Sequence, residues 1–194
     1  MNTVDPAMDH SPAPPAAVPP TSVWATIAYL MRDLFLAVII AFVIIFFIYQ
    51  PVRVEGTSMM PGLRDQERIF VNIFSYRLGL SAITRGDTVV FRFPQDPSKH
   101  YIKRVIGVPG DTVQVTDGVV ILNGNSLREE YVPDEYRDRQ NVPLTKVGAG
   151  QYFVMGDHRT SSNDSRAWGP VDRGHIYGKA VFVYWPLENV GVLR

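Results

Sequence analysis

The amino-acid sequence predicts a mainly β domain carried on a single N-terminal membrane-spanning helix. Three observations predict it: one long apolar run near the N-terminus, a series of short β-type runs after Gln50, and turn signals between those runs. At 194 residues without a detectable internal repeat, the chain has room for one compact domain plus accessory segments. Its 19 basic and 19 acidic residues balance without a long run of either sign, which argues against nucleic acid as the main partner. The chain holds no cysteine, which excludes disulfides, thiol nucleophiles and zinc-thiolate sites.

Residues 1–22 contain SPAPPAAVPP and almost no large apolar side chains. Such a segment buries too little surface to offset the entropy of ordering, and it is expected to be disordered. From Leu34 to Ile48 every residue is apolar, a stretch that as a helix covers about 22 Å at roughly 1.5 Å per residue. Extension upstream through WATIAYLM supplies the length a bilayer requires, so residues 23–50 read as a transmembrane helix with its interfacial lead-in. Arg32 and Asp33 then pair or snorkel near one interface, and Trp24, Tyr29 and Tyr49 suit interfacial positions. A cleaved signal peptide fits poorly, because a basic leading region is missing and YQPVRVEG follows the run instead of small residues. A soluble helix apolar on every side would need a larger core than the remaining chain can build. Taken literally, Arg53, Arg64 and Arg68 after the run against Arg32 before it put the C-terminal part in the cytoplasm, but a large folded domain translocates regardless of such charges.

Residues 51–194 read as one β-rich domain. The runs ERIFVNIF, DTVVFRF, YIKRVIGV, DTVQVTDGVVILNG, QYFVMG and KAVFVYWPL are separated by RGD, PGD, DG, NG and GAG. None of them approaches a second membrane span.

His10, His100, His158 and His175 are scattered without a ligand pair at helical spacing, so they read as ordinary surface or hydrogen-bonding histidines and no metal or other cofactor is expected. Spacing leaves a Ser-His-Asp triad open, although no serine sits in a G-x-S-x-G elbow. In GTSMMPGL, Ser58 lies between a glycine that permits close backbone approach and the Pro61-Gly62 turn, either a plain turn serine or one presented for chemistry. In HYIKRVIGVPGD, alternation puts Tyr101, Lys103 and Val105 on one face and Ile102, Arg104 and Ile106 on the other. Each face carries a cation, one of which an ordinary strand would leave in solvent. A buried arginine stays charged, whereas a buried lysine loses its proton more readily and can act as a base. The segment VMGDHRTSSNDSRAWGPV, residues 154–171, packs Asp157, Arg159, Asp164 and Arg166 densely with glycines and a tryptophan, as a hydrogen-bonded support around a site does.

These stretches, in this order after the anchor, resemble bacterial type I signal peptidases, the membrane-bound serine peptidases that remove signal peptides from exported preproteins. The resemblance runs from the anchor to about Lys179. It implies a signal-peptidase-like β-fold, Ser58 as nucleophile and Lys103 as general base of a Ser-Lys dyad, and an acyl-enzyme intermediate. It further implies that Ser162 hydrogen-bonds the lysine and that Asp157, Asp164 and Arg166 form a structural polar network. Val52, Val54, Met59, Leu63, Ile69, Val90, Tyr101 and Ile102 match positions that line shallow apolar pockets for residues −1 and −3 of the signal peptide, which implies cleavage after A-x-A. The same resemblance places the tail in the cytoplasm and the catalytic domain on the extracytoplasmic side of the plasma or inner membrane. The short distance in sequence between anchor and Ser58 then lets the serine act at the membrane surface. Signal peptides and the lipid bilayer are the expected partners, and a monomer is expected.

Departures from the family pattern are Gly56, where some members carry a second oxyanion-binding serine, together with Gly62, His158 and Ser161 in place of Thr, Asn and Asn. The oxyanion hole is therefore expected to rely on the Ser58 N–H with a second donor unassigned. A self-cleaving repressor peptidase would need a DNA-binding domain and a cleavable linker, and residues 1–50 offer neither. A non-catalytic membrane-tethered β-module binding export partners, the remaining alternative, would be expected to have lost Ser58 or Lys103.

Overall fold

A computed structural model describes residues 22–193, apart from the side chains of residues 44–47 and 77. Except for Ser22, the tail expected to be disordered lies outside the described residues. The chain divides into two compact units between Phe42 and Val43.

Helix α1 (Val23–Ile48) forms where the sequence offers apolar residues on all sides and neither Pro nor Gly. Its Val23–Val43 segment is long and apolar enough to cross a membrane, with none of the span buried inside the protein. Arg32 pairs with Asp33 at 2.9 Å and lies over the Tyr29 ring at 5.2 Å. The pairing cancels the charge that would otherwise oppose insertion.

The second unit contains strands β1 (Tyr49–Arg53), β2 (Arg68–Asn72), β3 (Thr88–Phe93), β4 (Asp96–Gly107), β5 (Thr112–Thr116) and β6 (Val119–Leu122). They are followed by β7 (Asn125–Ser126), β8 (Val142–Lys146), β9 (Gln151–Met155), β10 (Val171–Asp172), β11 (Ile176–Trp185) and β12 (Gly191–Val192). Two one-turn helices, α2 (Phe74–Arg77) and α3 (Ser165–Trp168), punctuate them. The larger sheet has the order β1-β2-β11-β3-β4-β9-β10 with β12 beside β11, and the smaller has the order β7-β6-β5-β8.

Each β-type run forms a strand, or two in the case of DTVQVTDGVVILNG. That run folds back at Asp117-Gly118 and again at Asn123-Gly124, all four residues having positive φ as two-residue hairpin loops require. The run ERIFVNIF ends as a strand at Asn72, whose Oδ1 accepts from the Ser75 N–H at 3.2 Å and turns the chain into α2. Strands β1 and β8 each contain a proline and stand at the outer ends of their sheets, where a missing N–H costs no ladder bond.

Alternation along the strands separates the core into layers. Val90 packs with Val54, Met59, Leu63, Ile69 and Val71 on one side, while Val89 and Phe91 face Val105, Val154 and Tyr76 on the other. Ile106 and Phe153 join the smaller sheet's Val113, Val115 and Val120 in a third layer.

Four successive antiparallel steps separate β1 from β4, so the two strands run in the same direction. One leads to Ser58 and the other passes through Lys103. Among the described residues β1 pairs only with β2, and β4 meets β9 only from Arg104 onward. Both therefore keep an open edge upstream of these two residues.

Candidate active site

Ser58 and Lys103, 45 positions apart in sequence, meet with Ser58 Oγ 2.7 Å from Lys103 Nζ. Lys103 Nζ also donates to the Ile102 carbonyl at 3.0 Å and lies over the Tyr101 ring at 5.3 Å. The lysine is 4% exposed. Burial lowers its pKa to about 8, the carboxylates of Asp164 and Asp157 opposing the effect and Arg166 adding to it. At pH 7 roughly one such lysine in ten is neutral, against one in a few thousand for a solvated lysine. Lys103 and Arg104 are both buried, since Arg104 is 6% exposed and forks onto Asp157 at 2.9 and 2.7 Å. The ordinary alternative, with one cation in solvent, is not what the strand adopts.

The turn that presents Ser58 closes with the Met60 N–H donating to the Thr57 carbonyl at 3.1 Å. Its entrance is fixed by Gly56, whose N–H donates to Asp65 Oδ1 at 2.8 Å. Gly56 has φ of 93°, a conformation that glycine adopts freely and that disfavours a residue with a side chain. Among the described residues no hydrogen bond takes up the Ser58 N–H, which leaves a backbone donor beside the hydroxyl.

The 156–169 segment closes around this turn. Asp164 accepts from the Gly156 N–H at 3.0 Å and from the Arg166 side chain at 2.8 Å. Arg166 reaches Asp138 as well. Arg159 donates to the Gly156 carbonyl at 3.0 Å and forks onto Glu129 at 2.8 and 2.5 Å, both partners being 1% exposed. Gly156 has no room for a side chain, since a Cβ there would lie 2.2 Å from Ser162 Oγ and 2.4 Å from the Ser58 carbonyl oxygen.

One expected contact is absent. Ser162 Oγ is buried but hydrogen-bonds nothing among the described residues, so it does not hold Lys103. Nζ is instead engaged by Ser58 Oγ and the Ile102 carbonyl, and Ser162 stands over Gly156.

A groove of about 1500 Å³ runs past Ser58 and Lys103 between β1 and β4. Val52, Val54, Met59, Val90, Tyr101 and Ile102 line it. Leu63 and Ile69, expected in the same lining, are 1% and 0% exposed and pack behind Val54, Met59 and Val90. They shape the groove from beneath and present no surface to it.

Glu129, Asp138 and His158 were missed as contributors by the sequence reading. The available signal for the first two was the charge density of REEYVPDEYRDR, residues 128–139, which supplies carboxylates to the arginines of 156–169. His158 stood out only as a departure from the family pattern, because its contacts are to carbonyls of a turn 100 residues away in sequence.

Among the described residues no cluster of His, Cys, Asp and Glu could hold a metal ion. A lysine that has lost its proton beside a serine hydroxyl can support nucleophilic chemistry on a carbonyl.

Residues 27–185 match the family model described as signal peptidase, peptidase S26. A protein named probable signal peptidase I-1 from Synechocystis sp. is 36% identical over 195 residues, covering 96% of this chain and 93% of the relative. Signal peptidase I of Bacillus licheniformis is 38% identical over 169 residues, with 82% and 89% covered, and signal peptidase I T of Bacillus subtilis is 39% identical, with 82% and 86% covered. A crystal structure of a signal peptidase I from Enterococcus faecalis aligns with a TM-score of 0.44 at 32% identity, over 51% of this chain and 97% of that one. On the match of the family model and of relatives along most of their length, the chain belongs to the signal peptidase family, peptidase S26.

Proposed function

We propose that this membrane-anchored peptidase removes signal peptides from exported preproteins with Ser58 as nucleophile and Lys103 as general base. One observation carries the assignment: a 2.7 Å contact between the Ser58 hydroxyl and a buried lysine whose pKa burial lowers to about 8. In the neutral form Lys103 accepts the Ser58 proton while Oγ attacks the scissile carbonyl. The Ser58 N–H faces the developing oxyanion. Lys103 then protonates the leaving amine as the peptide bond breaks, and an acyl-enzyme remains. The same lysine takes a proton from water, whose oxygen attacks the acyl carbonyl, and returns it to Ser58 Oγ as the ester bond breaks and the signal peptide leaves. A non-catalytic tether would leave this buried, easily deprotonated lysine without a role.

The substrate lies extended between the open edges of β1 and β4, where main-chain hydrogen bonds hold it in register. Side chains −1 and −3 face the same way and meet the apolar lining formed by Val52, Val54, Met59, Val90, Tyr101 and Ile102, with Leu63 and Ile69 behind it. Shallow apolar surface accepts alanine and excludes bulk by overlap, which favours A-x-A sites. Asp157, Asp164 and Arg166 hold the support segment, and Ser162 fills the space over Gly156. Residues 23–50 anchor the chain in the lipid bilayer, residues 1–22 lie in the cytoplasm, and residues 51–194 act as a monomer on the extracytoplasmic side. No nucleic acid takes part.

The test is cleavage of an A-x-A preprotein in detergent by the wild type and by Ser58→Ala, Lys103→Ala and Lys103→Arg. All three variants should be inactive, since arginine keeps the charge but cannot give up its proton. An inactive wild type, or cleavage at the wild-type rate by any variant, refutes the assignment.

A further inference from the structure

We infer that His158 is a positioning residue that aims the Ser58 N–H at the oxyanion by gripping the carbonyl on the far side of the same peptide group. His158 Nδ1 lies 3.2 Å from the Thr57 carbonyl oxygen. A carbonyl only accepts, so the ring nitrogen carries the proton and donates. The backbone N–H of His158 donates to the next carbonyl, that of Ser58, at 3.1 Å. One residue of the support segment thus holds two consecutive carbonyls of the turn that presents the nucleophile.

The consequence follows from peptide geometry. The group joining Thr57 to Ser58 is planar, and in its trans form C=O and N–H point in opposite directions. Fixing the Thr57 oxygen therefore fixes the direction of the Ser58 N–H. Because the carbonyl also accepts from the Met60 N–H at 3.1 Å, two donors polarise this amide and make its N–H a better hydrogen-bond donor. The imidazole is itself seated on the Tyr136 ring, with centroids 4.1 Å apart. Close by, Ser161 Oγ meets Thr57 Oγ1 at 3.3 Å, a second tie between the same two segments.

The role rests on Ser58 being the nucleophile, and the experiment separates failure of that reading from failure of this one. Full-length His158→Phe and His158→Asn are compared with the wild type and Ser58→Ala on an A-x-A peptide, with kcat and KM resolved. Phenylalanine keeps a ring on Tyr136 but loses the donor. Asparagine places an amide nitrogen on Cγ, as histidine places Nδ1, and restores the donor without the ring. His158→Phe should lose kcat by about ten- to a hundredfold with KM nearly unchanged, the scale of a misaimed transition-state donor. Affinity for an A-x-A peptide aldehyde, which forms an oxyanion on Ser58, should fall by a similar factor. His158→Asn should recover most of both. If His158→Phe matches the wild type in kcat, or His158→Asn is as impaired as His158→Phe, the inference is overturned while inactivity of Ser58→Ala upholds the nucleophile. Should Ser58→Ala cleave at the wild-type rate, the reading of the site falls and this role with it.

Discussion

Replacing Lys103 by methionine should abolish cleavage and, at neutral pH, stabilise the fold. Lys103 is 4% exposed, and its pKa falls from the ordinary 10.5 to about 8 through burial. Below pH 8 the lysine is protonated in both folded and unfolded chains, and the folded chain bears the full cost of the buried charge. Between pH 8 and 10.5 the unfolded chain holds a proton that the folded chain has lost, so stability rises with pH. Above 10.5 both states are neutral and the cost is gone. A gap of about 2.5 pH units, at roughly 1.4 kcal/mol per unit, is on the order of 3 kcal/mol. Methionine keeps the length of the stem but gives up the hydrogen bonds to Ser58 Oγ and the Ile102 carbonyl, a loss of about 1 kcal/mol each. Lys103→Met should therefore exceed the wild type by about 1 kcal/mol at pH 6 to 7, lose that advantage as pH rises, and fall below it near pH 11. Urea unfolding of the full chain in detergent, followed by tryptophan fluorescence, measures this. Trp168, 6.0 Å from the Phe91 ring, reports on the catalytic unit. A difference that stays flat from pH 7 to 10.5, or a variant less stable than wild type at pH 6, refutes the reasoning.

Four further outcomes follow from the same geometry. The kcat/KM of the wild type should climb about tenfold per pH unit below pH 8 and level off above it, as expected when neutral Lys103 is the working base; a profile level down to pH 6 contradicts this. Gly156→Ala would press a methyl group against Ser162 Oγ and the Ser58 carbonyl, and should cost about 2 kcal/mol of stability and at least tenfold in kcat by unfolding midpoint and peptide assay. Glu129→Gln leaves the Arg159 charge buried without a carboxylate and should lower stability by about 3 kcal/mol, whereas the apolar pair Glu129→Leu with Arg159→Met should recover much of it in a double-mutant cycle. Ile102→Ala widens the groove wall beside Lys103, and should raise cleavage of peptides with valine at −3 relative to alanine by about tenfold in competition assays.

The anchor and the strands were legible because their signals are local. Fifteen residues of unbroken apolar character from Leu34 lie in a helix long and apolar enough to cross a membrane, and alternation with Asp-Gly and Asn-Gly turns forms hairpins at 117–118 and 123–124. Ser58 and Lys103 were legible as candidates from their immediate neighbours, and as a pair only through the order of motifs along the chain. Residue type and spacing could not show that Lys103 and Arg104 are both buried, because that depends on Asp157 arriving opposite Arg104 from 53 positions away.

What tertiary structure alone decided is which polar groups find one another. Glu129 and Asp138 belong to the site's support only because the smaller sheet returns their segment to Arg159 and Arg166. Ser162, placed on Lys103 by resemblance, stands over Gly156 with its hydroxyl unpartnered among the described residues, while His158, only a departure from a pattern in sequence, grips the Ser58 turn by two carbonyls. The physical reason is range. Apolar periodicity and turn propensity act over a few residues and can be read along the chain, whereas a buried hydrogen bond or ion pair is set to within tenths of an ångström by packing between segments that sequence leaves far apart.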